Sequence, residues 1–73
     1  MPFKHPELVD AATQASAERN AAQLGHGKWA MVHYRYGPYP HRWPTAEREE
    51  YERLEREAAK AWAALHNAQL VVD

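Results

Sequence analysis

The clearest pattern in the chain lies between Thr45 and Ala68, where Tyr51, Leu54, Ala58, Ala61, Leu65 and Ala68 recur at alternating steps of three and four. That spacing is the apolar seam of an amphipathic helix. Glu and Arg crowd the faces away from it. The pattern predicts a helix over 46–68, with Thr45 as N-cap. Glu47, Glu49 and Glu50 fill the first turn, where carboxylates favour the positive end of the helix dipole. Arg48 stands where a capping box wants Glu or Gln, so that signature is incomplete. Glu49–Arg53 and Glu52–Arg56 have the i, i+4 order that supports an exposed face. Trp62 falls just off the seam, at the flank where a third helix or a second copy would touch. Tyr51, Leu54, Ala58, Ala61, Trp62 and Leu65 are therefore the expected helix interface.

Upstream, a helix is predicted over 6–24. Pro6 suits a first helical turn, because the N–H it lacks would be unpaired there. Gly25 sits where a left-handed C-terminal cap is expected. The inward stripe of this helix (Leu8, Ala12, Ala15, Ala22 and Leu24, interrupted by Arg19) is mostly alanine, which lets another helix approach closely. Residues 1–5 read as a loose arm. The nine residues KWAMVHYRY, 28–36, are rich in aromatic and β-branched side chains and alternate Trp29, Met31, His33 and Arg35 with Ala30, Val32, Tyr34 and Tyr36, which predicts a strand-like segment. Residues 37–44, GPYPHRWP, form a Pro-rich loop in which Pro38, Pro40 and Pro44 favour extended backbone. Residues 69–73 are a tail or short strand, or a continuation of the helix. The expected fold is mainly α: one domain, a two-helix antiparallel hairpin with an extended aromatic connector, a small α+β arrangement being the alternative.

Composition changes this picture in one respect. Hydrophobic residues make up 45% of the 73, but fourteen of them are alanine, which leaves few large side chains for a core. Without cysteine, neither a disulfide nor a thiolate zinc site can supply the shortfall. A homodimer, or an obligate partner, is the expected remedy. No apolar run reaches the ~20 residues that cross a bilayer, and the N-terminus lacks the apolar stretch of a secretory signal. A cytoplasmic protein with no membrane association is expected. Abundant alanine and the absence of isoleucine suggest a GC-rich genome, such as that of an actinobacterium or one of its phages.

Charge is distributed unevenly around a net −1. Between residues 25 and 45 there are three bases, Lys28, Arg35 and Arg42, and no acid, together with five of the eight aromatics. Trp29, Tyr34, Arg35, Tyr36, Tyr39, Arg42 and Trp43 thus form an aromatic-basic segment. Tyr, Trp and Arg dominate protein interface hot spots. Interleaved rings and cations also suit stacking on single-stranded nucleic acid with Lys28, Arg35 and Arg42 on its phosphates, but a charge of +3 beside an acidic helix is weak attraction for phosphate. The competing use of these rings is to build the core.

Other chemistry is poorly supported. His26, His33 and His41 are spaced seven and eight apart, which matches no zinc pattern, and no carboxylate lies near them in sequence; no metal and no cofactor is expected. The Glu residues of the long helix have Arg neighbours and look like a solvated face rather than an acid–base pair. With one Ser, no Cys and no Gly-rich phosphate loop, there are no catalytic residues to name and the chain is not expected to be an enzyme. The favoured expectation is a protein–protein interaction module, an adaptor or an inhibitor of a larger protein. A nucleic-acid-binding accessory protein is the alternative.

Overall fold

A computed structural model describes residues 5–70 of the chain. Three helices follow in order: α1 (Pro6–Leu24), α2 (Trp29–Tyr36) and α3 (Thr45–Leu70), with a single 3₁₀ turn at Pro40–Arg42. Helices α1 and α3 run antiparallel as a hairpin, and α2 with the 3₁₀ turn folds over the closed end as a cap. The arrangement is a rod of 50 × 19 × 14 Å. Its radius of gyration is 14.9 Å, against about 11 Å for a compact globule of this length.

Helix α1 begins at Pro6 and ends at Gly25, as its sequence signals require. Gly25 is left-handed (φ 75°, ψ 37°), and the amides of both Gly25 and His26 donate to the Ala21 carbonyl, the latter at 2.8 Å. This closure satisfies the last carbonyls of the helix and reverses the chain. Helix α3 starts at Thr45 itself, one residue earlier than expected. Arg48 N–H donates to the Pro44 carbonyl at 2.9 Å, so the backbone of Pro44 caps the helix where the Thr45 side chain was expected to. Gln69 and Leu70 continue α3. The expected arm and tail fall outside the described residues at 1–4 and 71–73. Arg53 pairs forward with Glu57 at 2.9 Å, rather than back with Glu49. Such exposed pairs are worth a few tenths of a kcal/mol and do not decide structure.

The strand-like reading of 28–36 is overturned: Trp29–Tyr36 is a helix, and no strand occurs among the described residues. Aromatic and β-branched residues favour strands only where a sheet surface exists to receive them, and a lone strand would have no edge to pair with. A helix instead brings Trp29, Val32 and His33 together at steps of three and four. All three turn inward, and Trp29 is only 4% exposed.

The core lies at the closed end of the hairpin. Ala22, Trp29, Trp43, Tyr51 and Leu54 form one buried cluster, with Ala21 and Val32 packed on it. Trp29 and Trp43 stack at 5.6 Å between ring centroids, and Trp43 meets the Tyr51 ring edge-on, also at 5.6 Å. Among the described residues, only Ala12, Ala58 and Leu65 are buried toward the open end. Of the expected interface residues, Tyr51, Leu54, Ala58 and Leu65 are buried, Ala61 is half-buried and Trp62 about half exposed.

Candidate functional site

The cap carries most of the residues singled out in sequence, and the fold divides them. Trp29 and Trp43, expected on a contact surface, are instead core residues, 4% and 3% exposed. The reason is bulk. The facing stretch of α1 offers Ala21 and Ala22, so two indoles must fill the space beside Tyr51 and Leu54. The polar edge of Trp43 is satisfied by its indole N–H donating to the Gly37 carbonyl at 2.8 Å. Among the described residues no buried side-chain polar atom lacks a partner.

His33 locks the cap to α1. Its Nε2 donates to the Ala22 carbonyl at 2.8 Å, which fixes that nitrogen as the protonated one. Its ring leans on Trp43 at 5.4 Å and lies against Gly25. The histidine considered as a ligand is therefore spent on structure. Among the described residues no three His, Asp or Glu side chains gather as a metal site. Lys28 reaches across to α3, where its ammonium pairs with Glu50 while also lying 5.3 Å from the centroid of the Trp29 ring. A shallow groove of about 370 Å³ runs beside that pair, between the end of α1, the start of α2 and α3. Glu18, His26, Lys28, Glu50 and Arg53 line it, a mixture of both signs over the buried Trp29 and Leu54.

The remaining residues face out. On α2, Met31, Tyr34 and Arg35 share the face opposite Trp29, with Met31 55% and Tyr34 87% exposed. In the connector Tyr39 is 56% exposed and Tyr36 less so. The Arg42 guanidinium lies 5.9 Å from the centroid of the Tyr39 ring, and the His41 ring is 6.0 Å from Tyr39 on centroids. Neither Arg35 nor Arg42 forms an ion pair among the described residues. The cap thus presents exposed rings and uncompensated cations on a backbone held from beneath by the Trp29–Trp43 stack. Met31 was missed in sequence, where alternation set it across from Tyr34. Helical spacing puts the two side by side.

The acidity of Tyr51 is shifted. Burial raises its phenol above the ordinary value of 10.0, the Glu55 carboxylate one turn along adds to the rise, and Arg19 opposes it. The folded chain therefore holds this proton more tightly than the unfolded one. The resulting stability is whole below about pH 10 and is lost as pH climbs through the raised value. Urea unfolding midpoints are expected to fall more steeply above that pH for the wild type than for Tyr51→Phe. Parallel curves would contradict the assignment.

Among the described residues no helix is long and apolar enough to cross a membrane. The chain matches no family model, no curated protein and no solved structure.

Proposed function

We propose that this chain is a small, non-enzymatic interaction module that works in the cytoplasm as a homodimer and docks its cap on a larger protein, as an adaptor or an inhibitor. The observation that carries the reading is the outward set Met31, Tyr34, Arg35, Tyr39 and Arg42 on a cap whose inner side is fixed by buried tryptophans. Exposed Tyr and Arg on a rigid support lose little freedom on binding, which is how anchors gain affinity. Two cations without carboxylate partners call for an acidic surface opposite them. The partner chemistry that fits is an acidic protein face with an apolar patch for Met31 and the tyrosine rings.

Replacing Met31, Tyr34 and Tyr39 together with alanine tests this. All three side chains lie outside the core, so helical content and melting temperature are expected to hold. Affinity for the partner recovered with the wild-type chain is expected to fall by roughly 30-fold or more, the loss that follows from about 2 kcal/mol or more of hot-spot energy. Undiminished recovery by the folded variant would sink the reading. Nucleic acid is the competing occupant. Lys28, one of the three bases it would use, is already engaged with Glu50. Binding of single-stranded DNA that weakens steeply with salt would transfer the cap to that class.

A further inference from the structure

The groove beside α2 already holds an ammonium, one that belongs to the chain itself. Lys28 Nζ lies over the Trp29 ring, 5.3 Å from its centroid, and pairs with the Glu50 carboxylate. A carboxylate beside an aromatic face is the combination that receives an organic cation. Trp29 stacks on Trp43, which does not line the groove, so one face of the indole meets the core and the other meets Lys28. The lysine thus covers the outer face of a ring that is only 4% exposed.

That cover is loosely held. The Lys28 side chain is 67% exposed and the Glu50 side chain 34%, and exposed pairs of this kind contribute little. With Lys28 in place the groove measures about 370 Å³, inside the range of about 300–1,000 Å³ for small-molecule sites. Swinging the lysine out bares the Trp29 face beside Leu54 and Ala21, an apolar floor between charged walls. The charges on those walls are not evenly spent. Arg53 bonds forward to Glu57 and Lys28 is met by Glu50, so both formal cations are compensated. Glu18, on the α1 wall, forms no ion pair among the described residues. The sign left over is negative.

We propose that this groove binds a small organic ammonium with an apolar body, and that Lys28 is the built-in occupant it displaces. The ligand's cation takes the place of Lys28 Nζ at Glu50, with Glu18 on the other wall, and its body covers Trp29 and Leu54. This site goes beyond the docking reading and does not depend on it, because Met31, Tyr34 and Tyr39 lie outside the groove.

The test is a heteronuclear NMR titration of the full chain with phenethylamine as the probe. Phenethyl alcohol and hydrocinnamate serve as neutral and anionic matches of similar size. Phenethylamine is expected to give saturable shifts at the Gly27 and Lys28 amides and the Trp29 indole N–H, and none at the Trp62 indole. Lys28→Ala removes the competing ammonium and is expected to tighten binding about two- to fivefold, the weight of an exposed ion pair. Glu18→Gln is expected to weaken it by about the same factor. Neither side chain belongs to the core, so far-UV dichroism is expected to be unchanged. The Met31, Tyr34, Tyr39 triple variant is expected to bind the probe as the wild type does, so failure of cap docking and failure of this site read out separately. No saturable shift by about 10 mM phenethylamine, where a ligand with a Kd of about 1 mM is about nine-tenths bound, would overturn the proposal. So would the alcohol binding as tightly as the amine, which would make the groove merely apolar. Tighter binding of hydrocinnamate, or a Lys28→Ala variant that binds the amine no better, would overturn it as well.

Discussion

Trp43→Ala is expected to cost about 3–5 kcal/mol, the range for removing a buried tryptophan. A domain of this length has about 4–11 kcal/mol to lose in total, so the variant is expected to be largely unfolded or close to it. Position explains why this side chain matters more than its neighbours. Trp43 stacks on Trp29 from α2, meets Tyr51 from α3, touches His33, and ties its own connector through Gly37. Three elements therefore share one ring, and no large apolar residue of α1 is placed to refill the hole. The buried positions of α1 are Ala12 and Ala22. Trp62→Ala makes the contrast. That ring is half exposed and outside the cluster, so its loss from the single chain is expected to cost about 1 kcal/mol, in the range of ordinary substitutions. Urea denaturation of both variants at the same low concentration measures the difference. Equal costs would mean that the cluster at the closed end is not the centre of stability.

The frame of this fold was legible because its signals are local. Pro6 and Gly25 bracket α1 by backbone chemistry that needs no tertiary partner, and the seam from Tyr51 to Leu65 writes its period into the sequence. The cap was not legible in the same way. Eight residues are too few for a period to separate a helix from a strand, and the aromatic content of Trp29–Tyr36 favours the wrong one. What decides the matter is that Trp29 and His33 must both face a third ring, Trp43, which follows only after two prolines, Pro38 and Pro40. The division of the aromatic segment into core and surface depends on the same fact. Once α2 is a helix, Trp29 turns in while Met31 and Tyr34 turn out. Read as a strand, the segment put Tyr34 with Tyr36 and Met31 with Trp29, which mixes buried and exposed positions on both faces.

The same reasoning explains why a chain so poor in large side chains keeps a defined cap. Burial here is concentrated, not spread: two indoles, a phenol and one leucine close the end of the hairpin, while alanines let α1 and α3 run close together beyond it. The cap is rigid where it touches the hairpin and polar or aromatic where it does not. That division is what a contact surface requires, since affinity falls when anchors must be ordered on binding. The open half has the opposite character, with few buried groups and few charges among the described residues.

The second large effect is expected at Gly25, and it separates two costs that usually arrive together. Gly25→Ala must hold φ near 75°, which an L-residue resists by about 1–2 kcal/mol. It must also place a methyl 2.8 Å from Cγ and Nδ1 of His33, closer than carbon atoms approach. The imidazole cannot simply swing aside, because its Nε2 is bonded to the Ala22 carbonyl and its face leans on Trp43. Displacing it forfeits that hydrogen bond, about 0.5–1.5 kcal/mol more, and disturbs the tryptophan stack behind it. A total of about 1.5–3.5 kcal/mol is expected on those two terms. Gly27→Ala is the control, for it has φ 61° but nothing within 4 Å of the added carbon, so it carries the backbone cost alone. Pairing Gly25→Ala with His33→Ala completes the cycle. Without the imidazole there is nothing to clash with, so the double variant is expected to be more stable than the sum of the singles predicts, by about 1 kcal/mol or more. Strict additivity, or a Gly25 variant no worse than the Gly27 one, would show that His33 does not clamp the cap to the end of α1.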